Sequence, residues 1–230
     1  MSRTATRPGP LSFDPVAIGR LECDAWASYY RREWWPFLRA AVGMVRTGFG
    51  MGRLKTLLGA WYVLRANQVW APYPDNDPDA AREQMRRFYA LVAARSHPAL
   101  DPVRAAELEV EWWRVHRLHQ HSADVSDDDL TAALGSLYAF VYAVPADQVQ
   151  EAARLRMQAM DASDRWVAAG CDRDDPLLEQ ERRLLIASYS ALRAAIWGGP
   201  GGSAPEDSGL DGPTTPGQGR LRRRGHHPGA

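Results

Sequence analysis

Lysine is almost missing from this chain: Lys55 is the only one, although arginine raises the basic side chains to 28, equal to the 28 acidic ones. A net charge of zero with histidine neutral argues against a domain whose main partner is nucleic acid, since such domains carry a clear basic excess. No specific nucleic-acid binding is therefore expected. Cysteine is scarce too. Cys23 and Cys171 lie far apart, and no CxxC pair exists, which excludes a zinc ribbon or a disulfide framework. Two free thiols suit a reducing compartment, so a cytoplasmic protein is expected. The opening MSRTATRPGPLSF has no apolar core and does not read as a secretory signal. The longest apolar run, LLGAWYVL at 57–64, is too short to cross a bilayer. Strand-like alternation is absent from 13 to 197, as is an internal repeat. There is no GxSxG elbow, which makes hydrolase chemistry a poor reading.

Helix punctuation is plentiful. Four Asp-Pro pairs occur, at Asp14-Pro15, Asp77-Pro78, Asp101-Pro102 and Asp175-Pro176. Aspartate at the N-cap accepts a first-turn N–H, and proline at the next position gives up a donor that would have been unpaired anyway. Each pair precedes a helical apolar pattern. Ser126 before three aspartates and Pro145 before ADQVQEAARLRMQAM add two further starts. The predicted helices cover 15–35 (ending or kinking at Pro36), 37–47, 53–71, 78–95, 102–121, 127–142, 146–169 and 176–197. The fold class is therefore all-α: a single compact bundle of about eight helical segments over 13–197. Residues 1–12 and 198–230 read as disordered tails, the second rich in Gly and Pro and ending in an arginine cluster, RLRRR.

The densest chemistry is ELEVEWWRVHRLHQH at 107–121. At about 100° per residue, Glu109 and His116 point with Trp112 and Trp113, whereas Glu107, Glu111 and Arg114 form the opposite, solvated face. A carboxylate against tryptophans must be paired, protonated or metal-bound, because burying a bare charge is costly. Glu109 and His116 stand roughly 10 Å apart along the helix, so something must lie between them. Helix one repeats the pattern, with Glu22 and Glu33 on its apolar side. Asp164 falls among Val149, Ala153, Met157, Met160 and Val167. Glu181 is boxed in by Leu177, Leu178, Leu184 and Leu185.

Inward acids and a histidine from several helices are the raw material of bundle metal sites. Glu22, Glu33, Glu109 and His116 are the candidate ligands for iron or manganese, with His119 or Asp164 as additions. No acidic residue stands three or four positions before any histidine, however, so the di-iron Glu-x-x-His spacing is missing. The leading expectation is that these acids pair with arginines, with Arg65, beside Trp61, as a candidate partner.

From Trp34 to Pro74 there is no acidic residue, yet Arg39, Arg46, Arg53, Lys55 and Arg65 are present. The glycines of TGFGMGRLKT lack the strand a phosphate loop needs and read as a turn. The basic segment either covers acids of the same chain, which is the favoured reading, or lies on an anionic membrane surface through residues 37–55. Nine tryptophans fit a packed core or a pocket. The sequence thus favours a binding protein for a protein partner or hydrophobic small molecule, with structural ion pairs. A metal-dependent oxidoreductase and a peripheral membrane protein are the alternatives, and a homodimer is left open.

Overall fold

A computed structural model describes residues 11–96 and 99–198. Among them are eight α-helices and no strand: α1 (Pro15–Tyr30), α2 (Trp34–Phe49), α3 (Arg53–Trp70), α4 (Pro78–Ser96), α5 (Pro102–His121), α6 (Asp127–Tyr142), α7 (Gln150–Ala168) and α8 (Pro176–Gly198). The expected tails at 1–12 and 198–230 fall almost wholly outside the described residues, as does the arginine cluster.

All four Asp-Pro starts are built as their chemistry requires. Asp14 accepts from Val16 N at 2.9 Å, Asp77 from Ala80 N at 2.9 Å, Asp101 from Val103 N at 2.9 Å and Asp175 from Leu177 N at 2.8 Å. Ser126 and Asp129 form a reciprocal capping box that opens α6. α7 is entered through a 3-10 turn over Ala146–Val149.

The first break falls earlier than expected. α1 stops at Tyr30 rather than near residue 35, and α2 begins at Trp34. Arg32 takes a left-handed φ of 59°, and the Glu33 N–H closes onto Ser28 O at 2.8 Å. Pro36 therefore lies inside the first turn of α2, where its missing donor has no intrahelical acceptor to lose. At the next turn Gly50, left-handed at φ 58°, caps α2, and only Gly50, Met51 and Gly52 separate it from α3.

Each helix packs on the next in sequence, and α8 returns onto α1, so the helices form a closed cycle. The return is tight. A Cβ placed on Gly19 would lie 2.8 Å from the backbone nitrogen of Ile186, so only glycine allows α1 and α8 this approach. The larger apolar core includes Phe13, Phe88, Val92, Val110, Leu130, Leu134 and Leu192. A smaller one joins Cys23, Ala27, Ala159, Trp166, Leu178 and Leu185. No single helix among the described residues is long and apolar enough to cross a membrane.

Candidate functional site

Two polar centres lie inside the bundle. The first joins α1, α7 and α8 around Glu22, which is 2% exposed. Arg156 donates to Glu22 through both terminal nitrogens, Nη1 at 2.6 Å from Oε2 and Nη2 closer still to Oε1. The Tyr189 hydroxyl donates to the same Oε2 at 2.6 Å, and Trp26 Nε1 reaches Oε1 at 3.4 Å. Arg156 also lies 6.0 Å over the Trp112 ring. On each helix this centre falls between members of the two apolar cores: Ile18 and Cys23 flank Glu22, Ala153 and Ala159 flank Arg156, and Leu185 and Leu192 flank Tyr189. Burial of an ion pair is sustained here by a bidentate geometry and added hydrogen bonds.

Glu181 extends this centre from α8. It too is 2% exposed, and burial, then the neighbouring Glu22 carboxylate, pushes its pKa up to about 8. Its Oε2 and the Nε of Arg156 are buried with no hydrogen-bond partner among the described residues. Arg156 is therefore committed to Glu22, and Glu181 lies beside that pair without a hydrogen bond from the arginine, held protonated at neutral pH.

The second centre is Glu109 on α5. The Tyr89 hydroxyl donates to its Oε2 at 2.6 Å, and Trp112 and Trp113 donate to Oε1 at 3.1 and 3.2 Å. Burial raises its pKa, while these three donors and the charge of Arg156 oppose that rise. The wheel placed Glu109 with the two tryptophans, and the structure makes the tryptophans its donors.

The remaining predicted residues stand apart. His116 pairs through Nε2 with Asp164 at 3.1 Å, and Gln120 donates to the other Asp164 oxygen at 2.9 Å. His119 pairs with Asp127 at 2.8 Å. Glu33 is held at the surface by Arg31 at 2.9 Å and by Arg173, and these two guanidiniums keep its carboxyl below the usual range, Arg173 more strongly. The structure therefore does not bring Glu22, Glu33, Glu109 and His116 to one point, and no group of three or more His, Cys, Asp or Glu among the described residues is placed to hold a metal. Arg65 is not the partner of any inward acid: it is exposed and donates to Gln68 at 2.7 Å. The true partner is Arg156, whose inward placement, though not its pairing, could be read from the wheel. It stands about 60° from Ala153, at the edge of the same apolar arc that holds Asp164.

A third feature lies outside the bundle. Intramolecular pairing was expected to cover the basic residues of α2 and α3. Instead Arg39, Arg46, Arg53, Lys55 and Arg65 enter no ion pair among the described residues. Of the acids nearest in sequence, Glu22 pairs with Arg156, Glu33 with Arg31 and Arg173, and Asp79 with Arg82, while Asp75 and Asp77 enter no ion pair among the described residues. Beside these cations stand Trp35, 78% exposed, Leu54, 84%, and Trp61, 54%. Leu57, Leu58, Trp34 and Leu38 are exposed as well. Tryptophan is thus divided between two roles, since Trp70, Trp112, Trp113 and Trp166 are buried in the core. Comparisons with protein-family models, curated proteins and solved structures find no match to this chain.

Proposed function

We propose that the chain is a binding domain that works through the outer face of α2 and α3, and that its inward acids are structural. One observation carries this reading. Leu54, Leu57, Leu58 and Trp61 recur at the i, i+3, i+4, i+7 spacing of a helix face made for burial, yet all four are exposed. A contiguous exposed apolar face of this kind is the usual mark of an interaction surface. The opposite side of α3 supplies the intramolecular packing, through Thr56, Gly59, Ala66 and Trp70.

The interior supports the same assignment. Glu22 and Glu109 are each satisfied by hydrogen-bond donors of the chain itself. Strongly perturbed acids of this sort also occur in purely structural ion-pair networks. The class of ligand is a protein partner, a hydrophobic small molecule or a membrane surface.

The test is the effect of emptying the face. Leu57→Ser/Trp61→Ser should leave the thermal midpoint within error of the wild type and reduce binding of a hydrophobic fluorescent dye. A fall in midpoint comparable to that of the core variant Val110→Ala would show that these side chains serve the fold, and the reading would be abandoned.

A further inference from the structure

We propose that the occupant of the α2–α3 face is the surface of an anionic lipid bilayer. This rests on the preceding reading that the face is a docking surface, and it names the partner.

The argument starts from the distribution of side chains along the two helices. On α3 the exposed stripe is Leu54, Leu57, Leu58 and Trp61. Arg53 and Lys55 lie about 100° to either side of Leu54, and Arg65 continues the stripe about 20° away. On α2, Trp35, Leu38 and Val42 share one side with Arg39 and Arg46, roughly opposite the buried Gly48 and Ala40, and the buried Val45 marks the edge of that side next to Leu38. The helices touch where Val45 packs on Gly59. The result is an apolar strip of leucine and tryptophan bordered by cations, with no acid between Trp34 and Pro74. This is the composition of a helix that lies in the headgroup layer: apolar side chains enter the acyl boundary, tryptophans sit at headgroup level, and long basic side chains reach back to lipid phosphates.

Other occupants fit less well. A second copy of the chain in an isologous contact would set this patch against itself, bringing arginine onto arginine with no acid to relieve it. Nucleic acid would use the cations but leave the exposed leucines and tryptophans of the strip unburied. An acidic amphipathic peptide would use both, but helix recognition of that kind needs a groove. Two hollows on the described surface are lined by residues of α4, α5 and α6 and the turn before α6, such as Arg82, Leu108, Glu111 and Asp129, and neither involves α2 or α3.

The test uses the full chain with two kinds of vesicle, phosphatidylcholine alone and phosphatidylcholine mixed with phosphatidylglycerol. Binding is read by flotation, and depth by quenching of tryptophan fluorescence with brominated lipid. Partitioning should favour the anionic vesicles by at least roughly tenfold and weaken as salt is raised. Each basic residue near such a surface multiplies binding about fivefold, so Arg39→Gln/Arg46→Gln should lower it roughly 30-fold. Trp35→Ser/Trp61→Ser should lower it at least roughly tenfold and reduce the quenching that remains per bound chain. Equal binding to both vesicles, or binding to neither, overturns the proposal. So does a concentration-dependent dimer in light scattering that Trp61→Ser breaks in the absence of lipid, or saturable binding of an acidic amphipathic peptide without vesicle binding. These results would leave the docking face itself intact, because that reading fails only if emptying the face unfolds the chain.

Discussion

Glu109 accepts three donors, from Tyr89, Trp112 and Trp113, so Glu109→Ala would orphan all three at once. It should cost at least about 2 kcal/mol of stability. Glu111→Ala, two residues on, removes only a solvent-exposed pair with Arg114 and should stay within about 0.5 kcal/mol. Urea denaturation of the two variants measures both. Arg156→Met removes the guanidinium partner of Glu22 inside the bundle, which should cost about 3–5 kcal/mol, and Glu22→Leu/Arg156→Met should recover most of that loss. Glu181 makes stability depend on pH. Its folded pKa of about 8 exceeds the ordinary 4.5, so the folded state holds a proton that the unfolded state has already released. Stability is therefore greatest below about pH 4.5 as far as this group is concerned and declines as pH rises toward about 8. The slope approaches about 1.4 kcal/mol per pH unit within that window. Glu181→Gln should flatten this decline and raise the denaturation midpoint at the alkaline end. A decline unchanged by the substitution would assign the titration to another group.

Helices were the most legible elements, because their starts are local chemistry. Aspartate at the cap and proline behind it specify a boundary whatever lies nearby. Asp101→Ala should accordingly cost about 1 kcal/mol, a loss readable from the thermal midpoint. The end of α1 was less legible. Pro36 is the conspicuous breaker in the sequence, but the chain turns at Arg32, where a non-glycine residue accepts a left-handed φ. That turn lets Arg31 reach Glu33 and the carbonyl of Cys171, contacts that no local pattern encodes. The α1–α8 crossing is another such case. Gly19 looks like an ordinary glycine within a helix, yet Gly19→Ala should cost about 1–3 kcal/mol, because its methyl would press on the backbone of Ile186. Circular dichroism during urea denaturation checks this, with Gly52→Ala as the control, since a Cβ there meets nothing.

At the scale of the molecule, the return of α8 onto α1 closes the cycle and completes the polar centre, since Tyr189 and Glu181 both come from α8. A chain ending before Pro176 would lose those groups together with Leu178, Leu185 and Leu192 of the two cores. It should show no cooperative thermal transition by calorimetry. The sequence alone determined the helical class, the number of helices, their caps and the inward side of Glu22, Glu109 and Glu181, though not of Glu33, which lies beyond the end of α1 at the surface, because period and capping act over one or two turns. It could not choose the companions of those carboxylates. Arg156 is 134 residues from Glu22, and only the packing of α1, α7 and α8 brings them together. Likewise the sequence showed that residues 34 to 74 are basic and apolar. Whether that stretch would be covered from within was a question of which acids lie near it in space. The fold commits Glu22, Glu33 and Asp79 to other arginines and brings no other acid of the described residues into a pair with the cations of α2 and α3, whose apolar side chains stay exposed.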